Sequence, residues 1–169
     1  MRKMILSAMM AAVALPPATM AASNKLEGTW LINITFDGTP PPGFPASFPV
    51  MHTYSPSGEA IESSSIPTAR GAGLGEWINV GPRQYRMTLR FFVKDNAGNV
   101  IGYAQVKQWE ETNVAKTRLT ACRFIGQIFA FSGQQLLNST GSCGGTRIEV
   151  DTTQPAAVNP TALSAADQE

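Results

Sequence analysis

Apolar and polar residues alternate along most of this chain, in segments separated by turn residues. In the clearest segment, Tyr85, Met87, Leu89 and Phe91 share one face, and mostly polar residues occupy the other. A period of two is typical of β-strands with one buried face, and the chain lacks long stretches with apolar residues at helical spacing. The pattern predicts eight strands, over residues 30–36, 48–54, 59–64, 76–80, 85–93, 100–110, 116–131 and 136–150.

The predicted inner faces of these strands are mostly apolar. His52 is an exception, because it shares a face with Val50 and Tyr54. Small residues at Gly102 and Ala104 are expected to leave room inside. The remaining inward positions are predicted to be Ile32, Ile34, Phe36, Met87, Leu89, Phe91 and Val106.

Eight consecutive antiparallel strands with short connections predict an all-β fold. They close most simply into an up-and-down β-barrel, because closure leaves no open sheet edge, and a β-sandwich is the alternative. In a barrel, alternate loops lie at the same end, which groups loops 37–46, 66–75 and 95–99 with the turn at Ser132 and Gly133. Since the two longest loops share this rim, we expect the mouth of the barrel there.

The two ends of the chain lack this alternation. Residues 1–22 begin with Arg2 and Lys3, continue as an apolar run and end in small residues, which predicts a cleaved signal peptide. That run is shorter than the roughly 20 residues of a membrane-spanning helix, so we expect no membrane anchor after cleavage. Residues 151–169 have the composition of a disordered tail. We therefore expect one domain, over residues 23–150, in a periplasmic or secreted protein.

Export changes what is expected of the two cysteines, Cys122 and Cys143. In an oxidising compartment, such a pair typically forms a structural disulfide. The two residues lie ten positions on either side of the turn at Ser132 and Gly133, so a hairpin centred there brings them opposite or nearly opposite each other. A two-residue turn favours a disulfide, whereas a three-residue turn shifts the pairing by one residue.

Charge and composition argue against several classes of function. The formal net charge is only +1, which provides no basic surface for a nucleic acid. One histidine and two cysteines are too few for a zinc cluster, an iron–sulfur centre or a covalent haem motif. We expect neither a metal nor a cofactor. The chain also lacks a Gly-x-Ser-x-Gly motif, which argues against a hydrolase of that type.

Two short motifs lie at the ends of the predicted barrel. The first strand opens with Gly28, Thr29 and Trp30, and the last contains Arg147. With the strand count and order, these residues resemble the calycin pattern of lipocalins, in which the tryptophan and the basic residue close the barrel floor through a cation–π contact. The resemblance implies such a contact between Trp30 and Arg147. Because no C-terminal helix is evident, the chain also resembles bacterial allene-oxide-cyclase-like barrels, some of which are cyclases or isomerases.

Candidate site residues follow from the predicted interior and rim. The catalytic candidates are His52, Tyr54 and Tyr85, with Glu62 or Glu76 as a further neighbour, because an inward histidine among such groups can transfer protons. His52 fits a hydrogen-bonded core histidine as well, and Arg70 fits either a rim contact or a solvated loop residue. The ligand-binding candidates are Phe36, Phe44, Val50, His52, Tyr54, Arg70, Met87, Leu89 and Phe91.

Three functions are compatible with this pattern. We expect an exported lipocalin-like barrel that binds a small, largely apolar ligand in its interior. The first alternative is a cyclase or isomerase whose cavity folds an apolar substrate into a reactive conformer. The second is a filled barrel that acts as an interaction module through its rim loops.

Overall fold

The computed structural model describes residues 26–149. They form a closed barrel in which neighbouring strands along the chain are also neighbours in space, and the last strand pairs with the first. All pairings are antiparallel, which confirms the predicted all-β, eight-stranded up-and-down barrel. The strands are β1 (Gly28–Phe36), β2 (Ser47–Tyr54), β3 (Glu59–Ser64), β4 (Gly73–Gly81), β5 (Gln84–Lys94), β6 (Val100–Thr112), β7 (Leu119–Phe129) and β8 (Gln135–Arg147).

The predicted signal peptide (1–22) and tail (151–169) lie outside the described residues. Residues 26–149 include no helix that is long and apolar enough to cross a membrane.

Strand β4 begins earlier than predicted, at Gly73 and not near residue 76. Gly73 and Gly75 already pair with β3, at Glu62 and Ala60. A side chain at position 75 would collide with the backbone of Thr88 on β5, so glycine is required there. Two glycines among three residues hide the alternation on which the sequence prediction depends.

The interior follows the predicted alternation. Phe48, Val50, His52 and Tyr54 of β2 are all buried, whereas the residues between them are exposed. Strand β5 repeats this pattern from Tyr85 to Val93. Trp30 is fully buried, and its indole Nε1–H donates to the backbone oxygen of Leu26 at 2.8 Å. Arg147 lies directly opposite Trp30 in the β1–β8 pairing.

A disulfide joins Cys122 of β7 to Cys143 of β8, as the spacing predicts. The turn between the strands is nevertheless of the three-residue kind, because the Ala130 amide donates to Gln134 O at 2.9 Å. This turn shifts the pairing by one residue. The shift is reversed where Phe129 pairs with Gln135 but Ile128 pairs with Leu137, which leaves one extra residue in β8. The cysteines therefore face each other with Cα atoms 4.9 Å apart.

Candidate functional site

The loops predicted to share a rim do so. Gly43 of loop 37–46 lies near Ala69 of the β3–β4 loop and near Asn96 of loop 95–99, since a Cβ placed on Gly43 would be 3.8 Å from each. A cavity of about 40 Å³ lies below this rim, inside the barrel. One buried water needs roughly 10–15 Å³ on a comparable measure, so the cavity has space for several small atoms beyond its packed walls.

Aromatic rings form much of the cavity wall. Phe44 closes the rim end, where its ring centroid lies 6.2 Å from that of Phe36 and 6.1 Å from that of Phe48. The Phe124 ring lies over Gly141 of β8, where any side chain would collide with it. The residues that line the cavity are Ile34, Phe36, Pro41, Phe44, Phe48, Glu62, Arg70, Phe91, Ala104, Val106, Gln108, Phe124, Gly126, Gln127, Ile128 and Ser139.

Arg70 lies inside the barrel and not on its rim, with only 4% of its surface exposed. The loop that carries it extends the sheet beyond the start of β4, because Arg70 pairs with Val93 and the Gly71 amide donates to Phe92 O at 2.9 Å. This pairing directs the Arg70 side chain into the interior. Its guanidinium carbon lies 3.8 Å from the centre of the Phe91 ring, close enough for a cation–π interaction.

A chain of buried polar side chains begins at Arg70 and runs deeper into the barrel. Arg70 forms an ion pair with Glu62, whose Oε2 lies 2.7 Å from His52 Nε2. His52 Nδ1 lies 3.0 Å from the Tyr54 hydroxyl, which is 2.6 Å from Oε1 of Glu110. Gln108, which lines the cavity, donates from Nε2 to the same Glu110 oxygen at 2.5 Å.

The number of protons in this chain of buried polar side chains limits its charge states. Three hydrogen bonds join Glu62, His52, Tyr54 and Glu110, so three protons must lie between them. Neutral His52 and Tyr54 supply two. Because the ion pair with Arg70 keeps Glu62 a carboxylate, the third belongs either to Glu110 as a carboxylic acid or to His52 as an imidazolium. The two states have the same net charge, and they interconvert when two protons shift along Glu110, Tyr54 and His52.

Burial favours the state with the protonated carboxylic acid, because it leaves only Arg70 and Glu62 charged. Burial lowers the pKa of His52 to about 4 and raises the pKa of Glu110. Burial also lowers the pKa of Arg70 to about 9, so the guanidinium stays protonated at neutral pH. In this state Glu110 donates to Tyr54, Tyr54 donates to His52 Nδ1, and His52 Nε2–H donates to Glu62.

The structure brings some candidate residues to the cavity and places others elsewhere. Phe36, Phe44, Arg70 and Phe91 line it, and His52 and Tyr54 belong to the polar chain behind its floor. Val50, Met87 and Leu89 are buried in the apolar core and do not line the cavity.

Two further candidates lie apart from the polar chain. Tyr85 is buried near Trp77, and its hydroxyl has no hydrogen-bond partner within the described part of the chain. Of the two glutamates considered beside His52, Glu62 is the neighbour. Glu76 is exposed on the outer face of β4.

Sequence reasoning missed Gln108 and Glu110. Both lie on β6, on the same face as Ala104 and Val106, and both are buried. The alternation that identifies the inner face of β6 up to Val106 continues unbroken to Glu110. Polar residues at those positions were therefore the available signal for a buried polar site.

The fold and the site define a closed antiparallel β-barrel with a small aromatic cavity above a buried acid–base chain. This architecture is consistent with a lipocalin-like barrel. The chain matches no protein-family model and no curated protein.

Proposed function

We propose that this protein is an exported barrel that binds a small, largely apolar molecule in its interior. The observation that carries the proposal is the cavity below the rim, whose walls are mainly aromatic and aliphatic. Apolar walls provide affinity by removing ligand surface from water, and a few polar groups orient the ligand. Here the buried polar groups of the wall are Glu62, Arg70 and Gln108.

Phe44 acts as the lid of this cavity. The cavity volume of about 40 Å³ is small beside the roughly 300–1,000 Å³ of typical ligand pockets, so a ligand gains room when the Phe44 side chain moves out of the cavity. Phe44 lies in a loop with four prolines, at positions 40–42 and 45, which restrict the backbone. The Phe44 amide donates to Pro41 O at 3.0 Å, so this segment forms a compact turn.

The test fills the cavity from one wall. Ala104 is buried between Phe91 and Ile128 on neighbouring strands, and Ala104→Leu places a branched side chain in the cavity. Ala121→Leu is the matched control, because Ala121 is exposed on β7. Saturation-transfer NMR with benzene and 2-butanone measures binding.

We expect both probes to bind the wild type and Ala121→Leu, and Phe44→Ala to bind them several-fold more tightly. Ala104→Leu should bind neither. Wild-type affinity in Ala104→Leu would place the probes elsewhere and refute the proposal, as would the absence of binding to the wild type.

Export is the other part of the proposal. The N-terminal pattern over residues 1–22 supports it, and the Cys122–Cys143 disulfide is typical of proteins that fold in an oxidising compartment. The intact mass of the protein from a culture expressing the full chain tests both points. We expect a mass that lacks about 22 N-terminal residues and shows no free thiol. An uncleaved chain with two free thiols would contradict export.

A further inference from the structure

We propose that the cavity catalyses proton transfer on a small apolar ketone, with Glu62 as the base that removes a proton from the carbon next to the carbonyl group. This inference rests on the binding function proposed above and names its ligand class. It starts from the position of Glu62, which lines the cavity, is ion-paired with Arg70 and accepts a hydrogen bond from His52.

The polar floor favours a neutral ligand that accepts a hydrogen bond. Arg70 lines the cavity, and its buried Nε–H has no acceptor among residues 26–149. A ligand carboxylate would compete with Glu62 for the one buried cation of this site and place two negative charges beside it. A ketone oxygen accepts from Arg70 without adding a charge. The aromatic walls suit the hydrocarbon part of such a molecule.

The proton-transfer step balances within this site. Glu62 takes the proton and forms an O–H bond, and the C–H electron pair becomes the C=C bond of an enolate. The carbonyl electron pair moves to oxygen, beside Arg70. The negative charge thus moves from Glu62 to the enolate while both lie next to the same guanidinium, so the net charge of the site is unchanged. Glu62 then returns a hydrogen to the same carbon, or to the γ-carbon of an unsaturated ketone, and becomes a carboxylate again. In D₂O, the O–H of protonated Glu62 exchanges with solvent first, so the returned hydrogen is deuterium.

The other members of the buried polar chain, His52, Tyr54 and Glu110, position the base. His52 Nε2–H holds Oε2 of Glu62, and the other oxygen, Oε1, which is ion-paired with Arg70, takes the proton of the ligand. Tyr54 and Glu110 hold His52 in the tautomer that carries its proton on Nε2, because Tyr54 donates to Nδ1 when Glu110 is protonated. His52, Tyr54 and Glu110 are therefore positioning residues, and Glu62 is the catalytic residue.

The experiment measures hydrogen exchange into 2-butanone dissolved in D₂O, followed by the loss of its α-proton NMR signals. General acid–base catalysis typically contributes about 10²-fold or more, so we expect acceleration of that order over buffer. Ala121→Leu should match the wild type. Ala104→Leu and Glu62→Gln should exchange no faster than buffer, and benzene should inhibit the wild type.

The outcomes separate this inference from the binding function. Binding of 2-butanone to the wild type without accelerated exchange would overturn the inference and leave the binding function intact. No binding of either probe would overturn both. Exchange in a folded Glu62→Gln variant at the wild-type rate would refute Glu62 as the base. Folding of each variant is checked by its amide NMR spectrum.

The positioning role has a separate spectroscopic test, because His52 is the only histidine in the chain. The ¹⁵N NMR spectrum of the labelled imidazole should show a protonated Nε2 and an unprotonated Nδ1 at neutral pH. Glu110→Gln retains a donor toward Tyr54 and should preserve both this signature and the exchange rate. Glu110→Leu and Tyr54→Phe should give mixed tautomers and slower exchange with unchanged binding. A protonated Nδ1 in the wild type would contradict this arrangement.

Discussion

Removal of the Arg70 charge is the sharpest test of how the interior is held together. Arg70→Met keeps much of the side-chain volume but leaves Glu62 as a buried carboxylate without its cation. Breaking a buried ion pair in this way costs about 3–5 kcal/mol of unfolding free energy. The lost cation–π contact with Phe91, at 3.8 Å, adds about 1–2 kcal/mol because the guanidinium is desolvated.

The double variant Arg70→Met/Glu62→Gln removes both charges and keeps an acceptor for His52. Glu62→Gln alone leaves Arg70 unpaired and should cost about 3 kcal/mol. The double variant should lose only about 1–2 kcal/mol, close to the value of the cation–π contact alone. The costs of the two single variants therefore should not add.

Urea denaturation of the four proteins measures this coupling, provided that their m-values agree. Arg123→Met is the matched control. Arg123 also forms an ion pair, with Asp37 at 2.7 Å, but its side chain is 61% exposed, so its loss should cost less than about 1 kcal/mol. If the double variant lost as much free energy as the two single variants together, Arg70 and Glu62 would not be coupled, and the charge assignment of the site would be refuted.

Three further predictions follow from buried groups. Burial lowers the pKa of His52 to about 4 from 6.5, so the unfolded chain binds more protons than the folded protein between these pH values. The unfolding free energy therefore falls as the pH drops through this window. Between pH 7 and pH 4, His52→Gln should lose up to about 3 kcal/mol less unfolding free energy than the wild type. Urea midpoints at both pH values measure this, and equal losses in the two proteins would contradict it. Replacing Cys122 and Cys143 with alanine should lower the unfolding free energy by roughly 3 kcal/mol, and an unchanged urea midpoint would argue against a structural role for the disulfide. Gly141→Ala forces a methyl group against the Thr35 backbone oxygen and the Phe124 ring and should cost about 1–3 kcal/mol, whereas Gly144→Ala meets nothing within 4 Å and should lie within about 0.5 kcal/mol of the wild type. Thermal midpoints compare the two, and similar shifts would refute the packing at Gly141.

The amino-acid sequence determined the all-β class and most of the strands, and it favoured a closed barrel over a β-sandwich. These features depend on a period of two and on turn residues, which are local properties that can be read a few positions at a time. The disulfide was predictable for the same reason, since Cys122 and Cys143 belong to one hairpin. The inward position of His52 followed from its neighbours Val50 and Tyr54.

Only the tertiary structure decided what surrounds His52. Tyr54 and Glu110 are 56 positions apart in the chain, and their contact exists because the barrel brings β2 and β6 to face each other across its interior. Arg70 is in a loop whose sequence gives no period, and its inward direction comes from pairing with Val93 of β5. Alternation shows which side of a strand faces the interior, but the curvature and register of the closed sheet determine which inward side chains meet.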